Sequence, residues 1–587
     1  RAQARAPGGS GTFAKNGSGS GHRKKRDYRF TVTQRLASIA QLLMLFSALL
    51  ATYFRRRTVD GEVFSWLRQE PRGIFSTNPV KETSPLWNGG EDVLKVGFFG
   101  RWVDTYHDRW YLWFTSLLPL HLATLACLFV LRRSKWVQSR FSQNTVTLGV
   151  SCGHIVLVHG VGCLFSFGAM MATLGVCKAT LPLAVGRPRL YKLVIWTLGI
   201  FMLVMCDYVD ANPGVLDGAI SGLPTWTYSG VRGQDAGPRF GPFLAFRYLL
   251  LRLLSYSFDV GEKAHHQKGA SRATVRDMVD VKRYFLYVTY APLYLHGPLV
   301  QYSSFSEQWS RSDTADGPLR EKLGKKNRDL PAVLPPVRSM RSAVQEMAAV
   351  LGLVALVSVL LHTIYMPTVI FYNLRAGDLM TQTVEPVDHF SFAQVFLFFI
   401  FLQSHTIFGL SRACAQMDGL SVGHDTPVSH FRSSTSLSHH WNWFHTTWRD
   451  FFMKYIYFPL GGGYLGLLAV VVFSVLMHGY SFTWVVWGFL NYTILLFEQG
   501  LRKRFHWYRQ PNFVVRALNQ AFVIEMQMFL FPAFVNSPTV GTLEDPRVSK
   551  ANWGAHKSLL KWNFAFAVLN NLRLGPANQM DELPGFW

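Results

Sequence analysis

The sequence has little charge and very little cysteine for its length. Asp, Glu, Lys and Arg together make up 16% of its 587 residues, against roughly 25% in ordinary soluble proteins, which argues against a soluble multidomain protein. Six cysteines in a chain of this length exclude a disulfide-stapled scaffold. Hydrophobic residues account for 49% of the chain and include 46 Phe, so disorder is excluded for most of it. The composition favours an integral membrane protein.

Acidic residues are also scarce relative to basic ones. Lys and Arg number 59 and Asp and Glu 35, which gives a formal net charge of +24. The basic residues stand at the ends of apolar runs, as expected for positive-inside flanks in contact with anionic lipids. They form no single stripe, so nucleic acid is not expected as a partner. The six cysteines lie in or beside apolar runs and are expected to be small buried hydrophobes.

Apolar runs follow one another along the chain, and a helix needs roughly 20 such residues to span a bilayer. Pro292, Gly297 and Pro298 predict that the run 284–306 is broken, and the run 455–497 is long enough for two spans. The pattern predicts an all-α, polytopic integral membrane protein with about 10 to 12 transmembrane or re-entrant helices. The runs are 36–54, 110–131, 141–177, 193–206, 243–256, 284–306, 347–374, 390–410, 455–497, 526–543 and 558–569.

The first 30 residues are rich in Gly, Ser, Arg and Lys, and Asp27 is their only acidic residue. Such a segment has no core of its own. The chain begins with Arg rather than Met, which suggests a processed or trimmed N-terminus, and removal of an organellar presequence is one way to produce it. We expect a tail of this kind to become ordered on a partner, such as other subunits of a membrane complex.

One histidine, His478, lies inside the charge-free run 455–497. An ionisable group at membrane depth is costly unless it has a partner or faces water, so His478 is a functional candidate by default. The alternative is a neutral histidine bonded to a helix carbonyl. A buried structural role is preferred for the other histidines in apolar runs, which are His121, His154, His159, His362 and His405.

The segment 439–463 is dense in histidine and aromatic residues and also carries Arg449, Asp450 and Lys454. This composition predicts an amphipathic or re-entrant helix at the membrane interface, ended by Pro459 and the glycines that follow it. Its histidines lack the Cys or carboxylate spacing of a zinc site, so no metal is expected. The chain also lacks a Gly-rich phosphate loop, a nucleophile elbow and a dinucleotide-binding fingerprint at a strand–helix junction.

This segment resembles the signature of the membrane-bound O-acyltransferase (MBOAT) family. The resemblance is carried by Trp441, Phe444 and His445, by Tyr455-Ile-Tyr-Phe-Pro-Leu-Gly-Gly, and by His478 further along. Two more segments, 252–259 and 287–298, are similar to the branch that contains Hedgehog acyltransferase and the glycerol-uptake-type (Gup) proteins. Together the matching segments extend over roughly residues 245–500.

The resemblance implies transfer of a fatty acyl group to a hydroxyl of a lipid, lipid anchor or protein, with acyl-CoA as co-substrate and no resident cofactor. The family's invariant histidine matches His478, and a neutral buried imidazole is suited to act as general base. The second family position matches His445, which would orient a substrate or donate to the carbonyl oxygen. Arg449 and Lys454 are candidates for contact with the CoA phosphates. The further predicted substrate-binding residues are Trp441, Asn442, Tyr457 and Pro459.

The resemblance also implies an organisation of the chain and a location. Residues 1–34 form the tail, 35–240 the N-terminal membrane helices and loops, 241–500 an MBOAT-like catalytic core, and 501–587 C-terminal membrane helices and a tail. The Gup-like branch points to remodelling of glycosylphosphatidylinositol (GPI) lipids in the endoplasmic reticulum. The alternative is a non-catalytic MBOAT-fold subunit of a larger complex, for example in the mitochondrial inner membrane. A transporter is disfavoured because the sequence shows no internal repeat.

Overall fold

A computed structural model of the protein describes residues 87–88, 91–92, 94–96 and 102–104 and the ranges 118–211, 242–313, 340–363, 386–425, 436–505 and 514–522, with short breaks at 268, 270, 296, 479–481 and 516. The first part holds two small antiparallel pairs. Strand β1 (Trp87–Asn88) pairs with β2 (Glu91–Asp92), and β3 (Leu94–Val96) pairs with β4 (Trp102–Asp104), with Lys95 opposite Val103.

The rest of the described chain is helical, which confirms the all-α prediction for the membrane part. Its first half contains α1 (Leu118–Arg133), α2 (Lys135–Gln138), α3 (Gln143–His159), α4 (Cys163–Gly186), α5 (Pro188–Ala211), α6 (Pro242–His265), α7 (Arg272–Arg276), α8 (Val281–Thr289), α9 (Ala291–Tyr294) and α10 (Tyr302–Asp313). Its second half contains α11 (Met340–Thr363), α12 (Pro386–Met417), α13 (Leu437–Trp443), α14 (Thr446–Phe452), α15 (Gly463–His478) and α16 (Phe482–Arg504).

Three of the described helices are long and apolar enough to cross a membrane. They are α4, the Pro188–Val209 part of α5, and the Met340–Leu361 part of α11. Large side chains on their surfaces remain exposed, for example Leu164 and Leu193, which suits contact with lipid. The protein is therefore an integral membrane protein, as its composition predicts.

Proline and glycine divide the apolar runs as expected. The run 284–306 is broken into α8, α9 and the start of α10, and the run 455–497 contains α15 and most of α16. The run 141–177 becomes α3 and α4, because Gly160 adopts a φ of 56° and starts a short 3-10 turn between them. The tail and the runs 36–54, 526–543 and 558–569 lie outside the described residues.

The core is packed where α4, α5 and α6 meet. Buried tyrosines occupy it, and two of their hydroxyls bond to carbonyls of neighbouring helices, as is usual for buried polar groups. The Tyr191 hydroxyl donates to the carbonyl of Ser257 at 2.7 Å, and the Tyr284 hydroxyl donates to the carbonyl of Met170 at 2.6 Å. These bonds tie α5 to α6 and α8 to α4 across an otherwise apolar interior.

Buried ion pairs fix α12 in place. Arg412 on α12 pairs with Glu346 on α11. Just beyond the end of α12, Asp418 lies 3.0 Å from Arg132 on α1 and accepts a 2.7 Å hydrogen bond from the Tyr290 hydroxyl. The helix is thus held in its last two turns and just beyond its end, and the segment that follows it, 418–425, starts from a fixed point.

A tight turn leads from the signature segment into α15. The helix α14 continues as a π-helical turn, Met453–Tyr457, and a 3-10 turn, Phe458–Leu460. Three glycines with positive φ follow, and the amide of Gly463 donates to the Tyr457 hydroxyl at 3.1 Å. A Cβ atom at Gly466 would lie 2.9 Å from both the Tyr457 carbonyl oxygen and its ring. Glycine therefore allows α15 to pack directly on this turn.

We expect Gly466→Ala to destabilise the protein by about 1–3 kcal/mol, because the added methyl group forces the backbone of Tyr457 to move. The measurement is the midpoint of thermal unfolding in neutral detergent. Gly500→Ala on α16 is the matched control, since a Cβ atom there meets nothing within 4 Å and alanine favours a helix. Equal unfolding midpoints for the two variants would contradict the packing argument.

Candidate active site

His445 is placed between α13 and α14 in a strained backbone conformation. Its φ of 52° and ψ of 51° are left-handed, and it is the only non-glycine residue with positive φ in the described part of the chain. Such a conformation costs energy and persists where the surrounding structure enforces it, often at functional sites.

The buried carboxylate of Asp425 holds the His445 ring. Its Oδ2 atom lies 2.6 Å from His445 Nδ1, and its Oδ1 atom accepts from the Thr447 amide at 3.1 Å and the Thr447 hydroxyl at 2.5 Å. The Thr446 amide donates to the Asp425 carbonyl at 3.0 Å. A carboxylate beside Nδ1 favours a proton on that nitrogen, which leaves Nε2 as the free face of the ring.

Sequence reasoning missed Asp425. It lies in the segment 411–438, which carries none of the motifs discussed above, and 20 residues separate it from His445. The sequence does contain one signal. Acidic residues are scarce in this chain, and one that lies within an apolar core is costly unless it has a partner, so it is a candidate for a role in the site.

Aromatic rings enclose the other sides of His445. Phe444 is tilted against it with ring centroids 4.1 Å apart, Phe408 of α12 meets it edge-on at 5.3 Å, and Trp448 lies at 5.7 Å. About 29% of the His445 side chain remains exposed. The imidazole is therefore fixed in orientation yet accessible at one face.

His478 is the last residue of α15, where the chain turns towards α16. The side chain is half-buried. It stacks on Trp484 with ring centroids 4.2 Å apart and planes 12° from parallel, and it meets the edge of Trp487 at 6.0 Å. The sequence placed His478 within an apolar run, and the structure places it at the junction of the two helices of that run.

One continuous group of rings connects the two histidines; we call Trp441, Phe444, Trp448, Trp484 and Trp487 the aromatic cluster. From His478 the contacts run through Trp487 to Trp441 at 5.8 Å, then to Phe444 at 5.9 Å and to His445. The two imidazoles are close enough to interact electrostatically. The structure thus brings together the two residues that the sequence singled out.

Helix α16 positions this cluster through buried polar residues. The Trp441 indole donates to the side-chain oxygen of Asn491 at 3.0 Å, and the Asn491 amide donates to the Trp487 carbonyl at 2.8 Å. The carboxylate of Glu498 accepts from the amides of Leu437 and Ser438 at 2.6 and 2.9 Å. A negative charge at a helix N-terminus is favourable, so Glu498 fixes the start of α13. Neither residue was predicted from the sequence.

His440, which precedes Trp441 in α13, is a buried neutral residue. Burial, assisted by the neighbouring His439 and His445, lowers its pKa to about 3. It stacks on Phe444 at 5.2 Å. We assign it to the packing of α13.

The basic residues of the signature already have carboxylate partners. Arg449 donates to Asp450 at 2.6 Å and to the Asn442 carbonyl at 2.5 Å. The Lys454 ammonium lies 2.6 Å from Asp259, whose carboxylate also accepts from the Tyr455 hydroxyl at 2.7 Å. Contact of these two cations with CoA phosphates stays a prediction.

A cavity of about 1010 Å³ opens beside the signature, and we call it the lateral groove. The wall formed by α15 consists of Ala469, Val472, Phe473 and Leu476, which recur at helical spacing towards the end that carries His478. Helix α5 forms the opposite wall with Trp196 and Ile200. Its charged lining residues are Arg189, Lys192, Glu262 and Lys454, and Tyr455, Phe458 and Pro459 border it on the signature side.

Among the predicted substrate-binding residues, Tyr457 and Pro459 belong to the turn that carries α15. Tyr457 is buried beneath the glycines of that turn. Pro459 lies in the 3-10 segment and borders the lateral groove. Trp441 is in the aromatic cluster, and Asn442 contributes its carbonyl to Arg449.

Comparison with known proteins agrees with this architecture. The model of the membrane-bound O-acyltransferase family matches residues 106–537. The chain is 25% identical over 507 residues to the membrane-bound O-acyltransferase GUP2 of Saccharomyces cerevisiae, covering 77% of this chain and 75% of that protein. It is 23% identical over 232 residues to the protein-cysteine N-palmitoyltransferase HHAT of Mus musculus, covering 37% of this chain and 40% of that protein.

We expect Asp425→Ala to destabilise the protein by about 3 kcal/mol, because the Thr447 amide and hydroxyl and the His445 ring all lose their buried acceptor. Thermal unfolding of the purified protein measures this loss. Asp450→Ala removes a carboxylate that is 54% exposed and pairs with Arg449, and we expect a change within about 0.5 kcal/mol. A similar small change for Asp425→Ala would show that the carboxylate does not organise the site.

Proposed function

The chain belongs to the membrane-bound O-acyltransferase family, and we propose that it transfers a fatty acyl group from acyl-CoA to a hydroxyl of a lipid, lipid anchor or protein. The observation that carries the proposal is the pairing of His445 and His478 on one aromatic cluster. Both imidazoles are held by neighbouring side chains, and one face of His445 is open. This is the arrangement that a proton-transfer site requires.

In the proposed reaction His478 is the general base. Its neutral imidazole accepts the proton of the attacking hydroxyl as the oxygen forms a bond to the thioester carbon. The tetrahedral intermediate then collapses, the carbon–sulfur bond breaks, and the proton passes from the imidazolium to the departing thiolate of CoA. The products are an ester and free CoA. Stacking on Trp484 fixes the plane of the imidazole ring during both transfers.

His445 is assigned the task of orienting a substrate. With Nδ1–H directed at Asp425, the ring is fixed and its open face packs against the substrate, which keeps the hydroxyl aligned with the thioester while the hydroxyl proton is directed to His478. Positioning of this kind contributes to rate by reducing the entropic cost of the reaction. Asp425 acts through His445 and is therefore a positioning residue.

The lateral groove supports the proposal by offering space for a lipid chain. Its volume of about 1010 Å³ is at the upper end of ligand pockets, which typically measure roughly 300–1,000 Å³. Leu193 and Ile200 on its α5 wall are exposed, so the groove is open towards the hydrocarbon region. We propose that it admits the acyl chain of a substrate. Phosphate contact by Lys454 would require the ammonium to exchange Asp259 for the ligand.

The resemblance to family relatives supports a proposal for the acceptor and for the membrane. Because the chain resembles the Gup proteins, we propose a GPI lipid anchor as acceptor and the endoplasmic reticulum as location. A non-catalytic subunit of a mitochondrial inner-membrane complex is the alternative, which the basic tail and the net charge of +24 favour. An acylation assay on the purified protein separates the two.

We expect His478→Ala to lower acyl transfer by 10²–10⁴-fold, the usual effect of removing a proton-transfer group. The assay is incorporation of radiolabelled palmitate from palmitoyl-CoA into lipid acceptors, with the protein in liposomes made from endoplasmic-reticulum lipids. Unfolding temperature and membrane insertion serve as controls for folding. Undiminished turnover by this variant would refute the assignment of the base.

The wild-type protein provides the second control. Absence of transfer by the wild-type protein to lipid, GPI and protein acceptors would favour the non-catalytic subunit.

A further inference from the structure

Arg252 is a buried cation without a counter-ion. It lies in the middle of α6, only 3% of it is exposed, and its Nη1 atom is buried without a hydrogen-bond partner. In the described part of the chain no carboxylate lies within ion-pair distance of it. An uncompensated charge in a low-dielectric interior is strongly unfavourable, so its presence in this core needs an explanation.

Three tyrosine hydroxyls lie near the guanidinium but do not compensate it. Tyr287, Tyr290 and Tyr294 are close enough to interact with Arg252 electrostatically. Their protons are directed elsewhere, to the Val300 carbonyl at 2.7 Å, the Asp418 carboxylate at 2.7 Å and the Ser166 hydroxyl at 3.2 Å. These tyrosines are neutral, so none of them provides a counter-ion for Arg252.

Arg412, the other buried arginine of the described chain, and the partly buried Arg132 and Arg247 are paired. Arg412, with 4% exposed, forms an ion pair with Glu346, and Arg132 pairs with Asp418. Arg247, five residues before Arg252 on the same helix, lies 2.8 Å from Asp207. Each of these arginines thus has a carboxylate partner within the protein. Arg252 is the exception, because no carboxylate of the described chain neutralises it.

Arg252 lies one helical turn from a residue that contacts the aromatic cluster. Tyr248 precedes Arg252 by one turn of α6, on the same face and about 6 Å away along the axis. The Tyr248 ring meets Trp448 of the aromatic cluster at 5.3 Å, and its hydroxyl interacts electrostatically with Asp425. On the other side, Ser255 and Asp259 continue this face towards Tyr455 and Lys454.

We propose that Arg252 binds the phosphate or carboxylate of an anionic ligand beside the His445 site. A guanidinium forms bidentate hydrogen bonds with either group, and the ligand would provide the counter-ion that the chain lacks. The assignment of that ligand as a substrate rests on the proposed acyl transfer. Binding itself does not depend on turnover and is measured without it.

The test compares amphiphiles of one chain length that differ in head group. Dodecyl phosphate, laurate and dodecanol are added to the full-length protein in neutral detergent, with inorganic phosphate as a separate arm, and the shift in thermal unfolding temperature gives the affinity. We expect dodecyl phosphate or laurate to stabilise the wild-type protein more than dodecanol does. A shift with inorganic phosphate as well indicates a soluble ligand, and a shift with the amphiphile alone indicates a lipid head group.

Arg252→Met tests the residue. We expect about 10- to 100-fold weaker binding of the anionic amphiphile, with Arg252→Lys retaining part of the affinity. Without ligand, Arg252→Met should unfold at a higher temperature than the wild-type protein, because it removes an uncompensated charge. Arg412→Met is the matched control, and it should unfold at a lower temperature because it leaves Glu346 unpaired.

Two results would overturn the proposal. One is equal stabilisation of the wild-type protein by dodecyl phosphate, laurate and dodecanol, and the other is an anion-dependent shift that persists in Arg252→Met. Neither result depends on acyl transfer. Loss of activity in His478→Ala with no anion-specific binding would leave the proposed function intact and remove this inference alone.

Discussion

The site depends on one buried carboxylate. Asp425 accepts hydrogen bonds from the side chains of His445 and Thr447, and the Thr447 hydroxyl in turn accepts from the Leu299 amide at 3.0 Å. Three segments far apart in the chain therefore meet at a single charge in an apolar interior, where such bonds are strong and their loss is costly. The strained backbone of His445 persists because this network holds the residue on both sides.

Helix α16 supplies the second constraint. It holds the start of α13 through Glu498, it holds Trp441 through Asn491, and it provides Trp484 and Trp487 as the surface on which His478 stacks. Helix α16 therefore helps to position both histidines, although neither histidine lies on it. A site whose residues are held by a helix is more precise than one held by loops.

Local sequence patterns were enough to locate the helices and the two histidines. They did not reveal the residues that hold the histidines and the helix ends in place. Pro292 and Gly297 predicted the break between α8 and α10, and the density of aromatic residues marked the segment with His445. The interactions that hold these elements join residues far apart in the sequence. Asp259 and Lys454 are separated by 195 residues, and Glu498 and Leu437 by 61. No local periodicity encodes such a pair. The sequence did not reveal that Asp259 pairs with Lys454. Contact of Lys454 with a phosphate therefore stays a prediction.

The distribution of buried charge separates structural from functional residues in this fold. Asp425, Glu498 and Asp259 each accept hydrogen bonds from backbone amides, so their charges are used to fix the positions of loops and helix ends. Arg412 and Arg132 are neutralised by carboxylates on neighbouring helices. Arg252 has neither kind of partner and lies one helical turn from the residue that contacts the aromatic cluster. Within the described chain the guanidinium has no carboxylate partner and its Nη1 atom has no hydrogen-bond partner, and an anionic ligand from outside would supply both.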